Sequence, residues 1–142
     1  MLKIIILLLI LPLSSLGDSY PYKILRVIDG DTIEFEAHFL PPPLKPSLSL
    51  RIYGIDTPEK TFRAKCELEA GLGREATEFV KNRVAESKFQ TVIIKSWDKF
   101  GGRVLGDVLL DGVSLRQTLL AKGYAHVYFG EKKQSWCHPE EK

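Results

Sequence analysis

The chain has 142 residues, of which 44% are hydrophobic and 27% are charged, with 20 basic and 18 acidic side chains. This length is typical of one domain, and the ordinary charge content argues against a disordered or low-complexity protein. No stretch reaches the roughly 18 uninterrupted apolar residues that a transmembrane helix needs, so we expect a small globular domain.

The first residues have the order of a secretory signal peptide. A short positive start at Lys3 is followed by an unbroken run of Ile and Leu over residues 4–11, and small or polar residues precede Asp18. We therefore expect residues 1–17 to be a signal peptide and residues 18–142 to form the domain. The protein would then be secreted or periplasmic; the alternatives are a buried N-terminal strand and an uncleaved anchor.

The charge balance of the expected exported chain is close to neutral. Removing residues 1–17 takes away Lys3 and no acid, which leaves 19 basic and 18 acidic groups. A chain of this kind has no bulk electrostatic attraction to nucleic acid. Any chemistry on an anion must therefore come from locally placed cations or from a bound metal.

Two cysteines, Cys66 and Cys137, remain in the exported chain. An even pair in an oxidising compartment favours a disulfide over free thiols or a metal site. Such a bridge would close a loop of about 70 residues, worth roughly 4 kcal/mol in the chain-entropy model. It would also attach the C-terminal tail to the segment that follows Glu59.

From Tyr22 onward the sequence predicts short strands separated by turn residues. Residues 22–28 are apolar and rich in strand formers, and Asp29-Gly30 is a hairpin signal. Residues 32–39 alternate between apolar and polar side chains, which predicts a strand with one buried face. The side chains expected on that face are Ile33, Phe35 and Ala37.

Four prolines predict a stiff loop over residues 40–47, and alternation resumes at Leu48, with Arg51 on the polar face. Between residues 72 and 84 the apolar period becomes that of a helix, although Gly71 and Gly73 weaken its start.

Residues 91–97 and 104–110 are predicted to be two further strands, on either side of a glycine turn. Ser114 and Gln117 form a capping-box pattern for a second helix, which Gly123 ends. Five strands with a helix after the third and after the fifth predict an α+β, mainly β protein with a small barrel and appended helices. A doubly wound sheet is excluded because it needs a helix after every strand.

Carboxylates and arginines cluster around these strand ends. Asp31 and Asp56 are hard oxygen ligands that suit Ca²⁺ or Mg²⁺, and Glu59 is placed to orient or deprotonate a water. Arg51 and Arg103 can hold phosphate oxygens and stabilise developing charge. Taken singly, each residue has a structural explanation as part of a turn, a solvated loop or a strand surface. Together they make the minimum set for metal-assisted phosphodiester hydrolysis.

Three blocks carry a resemblance to a known family. Residues 51–59 read Arg-Ile-Tyr-Gly-Ile-Asp-Thr-Pro-Glu, downstream of Val-Ile-Asp-Gly-Asp-Thr at 27–32 and upstream of Asp-Lys-Phe-Gly-Gly-Arg at 98–103. In this order they resemble the staphylococcal nuclease (thermonuclease) family, over roughly residues 23–129. The resemblance implies a five-stranded OB-fold β-barrel with two or three appended helices.

The resemblance also implies Ca²⁺-dependent cleavage of DNA and RNA, with little sequence specificity and with 3′-phosphate and 5′-hydroxyl ends. Arg51 and Arg103 would grip the scissile phosphate, and Glu59 would act on the attacking water. The ligands implied for Ca²⁺ are Asp31, Asp56 and the carbonyl of Thr57. We expect a monomer with DNA and RNA as substrates and no stable membrane association after signal removal.

The sequence departs from the family pattern at several points. The arginine turn carries an extra glycine at Gly101-Gly102, and Phe100 stands where a tyrosine is expected. The proline-rich segment 40–46 has no counterpart, and the short chain after Phe129 implies that a third helix is absent or shortened.

A non-catalytic OB-fold module that binds nucleic acid is the alternative function, although such a module would be expected to lack one of Glu59, Arg51 or Arg103. The aromatic residues near the C-terminus are candidates either for base stacking or for core packing. They are Tyr124, Tyr128 and Phe129.

Overall fold

A computed structural model describes residues 19–138 of the chain. The expected signal peptide, residues 1–17, lies outside this range. Within it, neither helix is both long enough and apolar enough to cross a bilayer. The strands are β1 (Ser19–Tyr20), β2 (Ile24–Asp29), β3 (Thr32–Glu36), β4 (Ser47–Ile52), β5 (Ile55–Asp56), β6 (Gln90–Trp97), β7 (Arg103–Leu110), β8 (Val113–Ser114) and β9 (His126–Val127). The helices are α1 (Glu67–Glu86) and α2 (Leu115–Ala121).

The five long strands are the five that the sequence predicts, and they form one sheet. Its order is β1-β6-β7-β4-β3-β2, with β8 paired to β7, and β4 lies parallel to β7. A separate pair joins β5 to β9. The prediction of an α+β, mainly β protein is confirmed.

The sheet is not closed into the five-stranded β-barrel that the sequence predicts. Among the described residues the backbone ladder ends at β1 and β2, which do not pair with each other. Between β2 and β6 the side chain of Gln90 instead accepts the Ile24 N–H, with Oε1 3.1 Å from the nitrogen. A side-chain hydrogen bond therefore stands where strand pairing would close the sheet.

The core lies on the alternating apolar face of these strands. Ile33, Phe35 and Ala37 are fully buried, as predicted. Leu48, Leu50 and Ile52 of β4 are also buried, and Arg51 lies on the opposite face. Glu34, expected on the wet face of β3, is the exception, because it is buried under cationic side chains.

Helix α1 begins five residues earlier than the Leu72 at which its periodicity becomes visible, at Glu67. Cys66 caps it, since its Sγ accepts the Glu69 N–H at 3.4 Å. Gly73 therefore lies inside the helix, where an added Cβ would come within 2.5 Å of the Glu59 carbonyl group. Glycine is present because the backbone of Glu59 and Lys60 approaches the helix closely there, not because a helix end requires it.

The expected disulfide is present between Cys66 and Cys137, whose Cα atoms lie 6.0 Å apart. The neighbouring Trp136 is buried and stacks flat on His126, with ring centroids 3.7 Å apart. The described part of the tail, residues 128–138, contains no helix. These contacts hold the tail against β9 and beside β5.

Candidate active site

Strand register places two arginines on one face of the sheet. Arg51 in β4 lies between Thr32 of β3 and Leu105 of β7, and Arg103, the first residue of β7, is opposite Ser49. Because side chains two residues apart share a face of a strand, Arg51, Ser49 and Arg103 point to the same side. The two arginine side chains are partly buried.

The turn between β2 and β3 brings the first predicted ligand to this face. Gly30 and Asp31 form its two central residues, and Asp31 is only 3% exposed. The Asp31 carbonyl accepts the Ile52 N–H at 2.8 Å, and a Cβ on Gly30 would lie 3.0 Å from Thr57 Oγ1. The predicted turn is therefore present, but it is packed into the protein instead of lying in solvent.

The second predicted ligand, Asp56, is buried in β5, where its partner is His126 of β9. One nitrogen of Arg51, Nη2, lies 3.0 Å from Asp31 Oδ2 and 3.6 Å from Asp56 Oδ1. Since both carboxylates contact the same atom, the fold brings together two residues that are 25 positions apart in the chain. Lys133 Nζ also contacts Asp56 Oδ1, at 2.5 Å.

Burial raises the pKa of the Asp31 carboxyl to about 7. The charge of Arg51 acts in the opposite direction, and the nearby Asp29 raises the pKa further. The positive charge of Arg51 is thus insufficient to offset the loss of hydration, and a further cation at this carboxylate would favour its ionised form.

The donor set at this point fits a hard divalent cation. No group of three or more His, Cys, Asp or Glu residues suitable for a metal occurs between residues 19 and 138. The protein donors available are the carboxylates of Asp31 and Asp56 and the carbonyl of the buried Thr57. All three are oxygens, which Ca²⁺ and Mg²⁺ prefer, and water or phosphate oxygens would complete the coordination.

Two neighbouring cavities open on this face. The first, which we call the aspartate cavity, has a volume of about 430 Å³. It is lined by five of the six predicted site residues: Asp31, Arg51, Thr57, Glu59 and Arg103. The second, the aromatic cavity, has about 340 Å³, and its walls include Tyr53, Phe100, Tyr128, Phe129 and Lys133. Arg51, Phe100 and Arg103 line both, so the two cavities are adjacent, and we call them together the cleft.

Glu59 is half-buried in the wall of the aspartate cavity, after the buried Pro58. Its backbone N–H donates to Oε1 of Glu69 at 3.4 Å. Within residues 19–138, no group donates a hydrogen bond to its carboxylate. This carboxylate is therefore available to a water or a substrate in the cavity.

The extra glycine does not remove Arg103 from the site. Arg103 Nε contacts Asp98 Oδ2 at 2.5 Å, and its Cζ lies 4.5 Å from the centre of the Phe100 ring. Gly102 adopts a φ of 73°, which glycine allows without strain, and the turn closes through an Asp98 N–H to Arg103 carbonyl bond. The longer turn thus still directs the guanidinium into the cleft.

The aromatic residues near the C-terminus have two different roles. Tyr124 packs on Phe79, with ring centroids 4.9 Å apart, at the edge of the core. Tyr128 and Phe129 line the aromatic cavity, and Phe129 is 57% exposed. Only the latter two are placed to contact a ligand.

Two cations in the cleft were not identified from the sequence. Arg63 lines the aspartate cavity, and its place between Lys60 and Lys65, shortly after Glu59, is the signal that could have indicated it. Lys133 reaches Asp56 from the tail, and only the Cys66–Cys137 pairing could have suggested this proximity.

Comparison with known proteins agrees with this geometry. The family described as staphylococcal nuclease homologue matches residues 49–141. An uncharacterized endonuclease of Escherichia coli is 34% identical over 107 residues, which cover 75% of this chain and 60% of the relative. The thermonuclease of Staphylococcus hyicus is 30% identical over 115 residues, which cover 81% of this chain and 63% of the relative. The chain thus spans about three fifths of the length of the curated relatives it matches.

Proposed function

Because the chain belongs to the staphylococcal nuclease family, we propose that it is a Ca²⁺-dependent endonuclease of the thermonuclease type. Its substrates would be DNA and RNA, cut with little sequence preference to leave 3′-phosphate and 5′-hydroxyl ends. The observation that carries the proposal is that Arg51, Arg103 and Glu59 all line the aspartate cavity.

The two arginines supply the site for the phosphate. Each guanidinium presents several N–H donors in a plane, which matches the oxygens of a phosphodiester. As water attacks, negative charge grows on the oxygens around phosphorus, and two fixed cations stabilise that charge more than they stabilise the substrate. Arg51 and Arg103 would therefore act in both binding and catalysis.

Glu59 would handle the attacking water. Its carboxylate, unpaired among residues 19–138, can accept a proton from water while the oxygen forms a bond to phosphorus. The bond from phosphorus to the 5′ oxygen then breaks, and that oxygen takes up a proton to leave as a hydroxyl. General-base catalysis of this kind typically contributes 10²–10⁴-fold to a rate.

Asp31, Asp56 and the Thr57 carbonyl would hold Ca²⁺. A bound divalent ion polarises phosphoryl oxygens and neutralises part of their charge. In the structure Arg51 contacts both carboxylates, and Lys133 contacts Asp56.

The low sequence preference follows from the type of side chain in the cleft. Guanidinium groups contact phosphate, which is common to every nucleotide, and aromatic rings stack on any base.

We further propose that the protein works outside the cytoplasm as a monomer. The disulfide supports the first of these points, because such bonds persist in oxidising compartments.

Digestion assays test the proposal directly. Residues 18–142 are incubated with plasmid, single-stranded DNA and RNA, with Ca²⁺ or with excess EGTA. We expect hydrolysis of all three substrates in Ca²⁺ and none in EGTA. Binding without hydrolysis would favour a non-catalytic OB-fold module, and equal hydrolysis in EGTA would contradict the role of Ca²⁺.

A further inference from the structure

The loop of residues 59–66 presents an aromatic side chain to solvent beside the aspartate cavity. Phe62 is 93% exposed, more than any other large hydrophobic residue in the described range. Burying a phenylalanine side chain contributes about 1.5–3 kcal/mol to folding. The Phe62 ring contributes almost none of this, so packing does not explain its presence.

This loop is held in place at both ends. The buried carboxylate of Glu69 accepts the N–H of Glu59 at 3.4 Å and that of Lys65 at 2.7 Å. The Lys60 ammonium donates to the Ile28 carbonyl, and the disulfide fixes Cys66 at the end of the loop. Phe62 thus projects from a braced segment, which reduces the entropy lost when its ring contacts a ligand.

The residue that follows Phe62 connects it to the cleft. Arg63 lines the aspartate cavity together with Arg51 and Arg103, and its Cζ lies 5.9 Å from the centre of the Phe62 ring. A polymer bound in the aspartate cavity would contact Arg63, whose guanidinium lies beside the Phe62 ring. Exposed aromatic residues are common singly, and neither Phe62 nor the 75% exposed Phe89 lines a cavity of the cleft. Of the two, Phe62 alone has a residue that lines the aspartate cavity, Arg63, beside its ring.

We propose that Phe62 stacks on an unpaired base next to the scissile phosphate while Arg63 contacts the neighbouring backbone phosphate. This inference rests on the proposed nuclease function. Stacking uses the face of a base, which every base has, so the contact adds affinity without sequence preference. Bases in a duplex already stack on their neighbours, so Phe62 would make the protein prefer single strands.

The test compares kcat/KM in Ca²⁺ on a 16-nucleotide single strand and on its duplex. The variants are Phe62→Ala, Phe62→Trp and, as a matched control, Phe89→Ala. Stacking is worth about 1–3 kcal/mol per base, so Phe62→Ala should lose fivefold or more on the single strand, mainly through KM. The loss on the duplex should be smaller, whereas Phe62→Trp and Phe89→Ala should stay near the wild type.

Three results would overturn the inference: Phe62→Ala behaving like Phe89→Ala on the single strand, an equal loss on both substrates, or the same loss in Phe62→Trp. If the wild type does not cleave, the proposed function fails, and the stacking contact is then measured separately. Fluorescence anisotropy of a labelled single strand in EGTA should still show at least fivefold weaker binding by Phe62→Ala. Equal binding by the wild type and this variant would overturn the stacking contact itself.

Discussion

Arg51 is the residue on which the candidate site depends for both structure and chemistry. Its guanidinium contacts Asp31 and Asp56, and both acids are buried. Removing one partner from a buried charge pair typically costs about 3–5 kcal/mol, because the other charge is left uncompensated. A loss of activity in Arg51→Ala would therefore mix unfolding with catalysis. A substitution of Glu59, which has no such partner among residues 19–138, tests catalysis without breaking a buried charge pair.

Glu34 shows how cations can hold a carboxylate in its ionised form. Lys45 Nζ at 2.5 Å, Arg26 Nε at 2.6 Å and Ser47 Oγ at 2.7 Å surround it, and together they lower its pKa from 4.5 to about 2. A group whose pKa is lower in the folded state stabilises the fold above its unfolded pKa. The contribution of Glu34 is therefore present above about pH 4.5 and is lost as the pH falls toward 2.

We expect Glu34→Gln to unfold at lower urea concentration than the wild type at pH 6, with a smaller difference between them at pH 3. Urea unfolding curves at the two pH values measure this. Glu78→Gln is the control, because the Glu78 side chain is 62% exposed and its pair with Lys81 is a surface contact worth little. A difference between Glu34→Gln and the wild type that is independent of pH would contradict the assignment.

The contact between α1 and the loop that carries Glu59 sets the position of the proposed base. Glu69 accepts backbone N–H groups from both ends of this loop, and Gly73 allows the loop to approach the helix closely. The sequence pattern indicates only that the glycines near residue 72 weaken the start of a helix. It could not show that one of them faces another segment, because that contact joins residues on two different elements.

Two glycines of the same helix give opposite predictions. Alanine in a helix interior is about 0.8–1 kcal/mol more favourable than glycine, so Gly71→Ala, with its nearest neighbour at 3.9 Å, should raise the free energy of unfolding by up to that amount. Gly73→Ala should instead lower it by about 1–3 kcal/mol, because its Cβ would lie 2.7 Å from Lys60 N and closer still to the Glu59 carbonyl.

Urea unfolding of both variants at neutral pH measures these changes. We also expect Gly73→Ala to lose nuclease activity, since the loop must shift away from the helix, while Gly71→Ala retains it. Equal stabilisation by the two substitutions would show that the loop does not lie against Gly73.

The C-terminal tail completes the cleft. It contributes Tyr128 and Phe129 to the aromatic cavity and places Lys133 on Asp56. Its attachment depends on the Cys66–Cys137 disulfide and on Trp136 packed on His126. The chain between the two cysteines is long, with a separation of 71 positions, so the bond restricts the unfolded chain strongly.

Replacing both cysteines by serine should lower the free energy of unfolding by about 4 kcal/mol, with a range of 2–5 kcal/mol for native disulfides. Urea unfolding of the double variant gives the value, and the wild type in reducing agent should behave in the same way. Limited proteolysis should cut the reduced protein within residues 128–138 before other sites. An unchanged midpoint would mean that the tail is held by other contacts.

Local sequence patterns predict most of the strands, the helices and the spacing of the candidate site residues. The features that could not be predicted depend on contacts between residues far apart in the chain. The alternation of β3 and β4, the cap of α2 and the spacing of Arg51, Asp56 and Glu59 depend on neighbouring residues and could be predicted. At the open edge of the sheet the Ile24 N–H is bonded to the side chain of Gln90, a contact that no periodicity reveals. The contact of Lys133 with Asp56 and the pairing of β5 with β9 depend on how the tail returns, which the sequence does not specify locally.

The most direct test of the proposed nuclease is the rate at which Glu59→Gln cleaves single-stranded DNA in Ca²⁺, relative to the wild type at the same pH. Thermal unfolding of both proteins is recorded as the control for folding. We predict a rate at least about 100-fold lower in the variant, with an unchanged unfolding temperature, because the group that accepts the proton from water is lost while no contact of the fold is removed. Cleavage by Glu59→Gln at the wild-type rate would contradict this prediction.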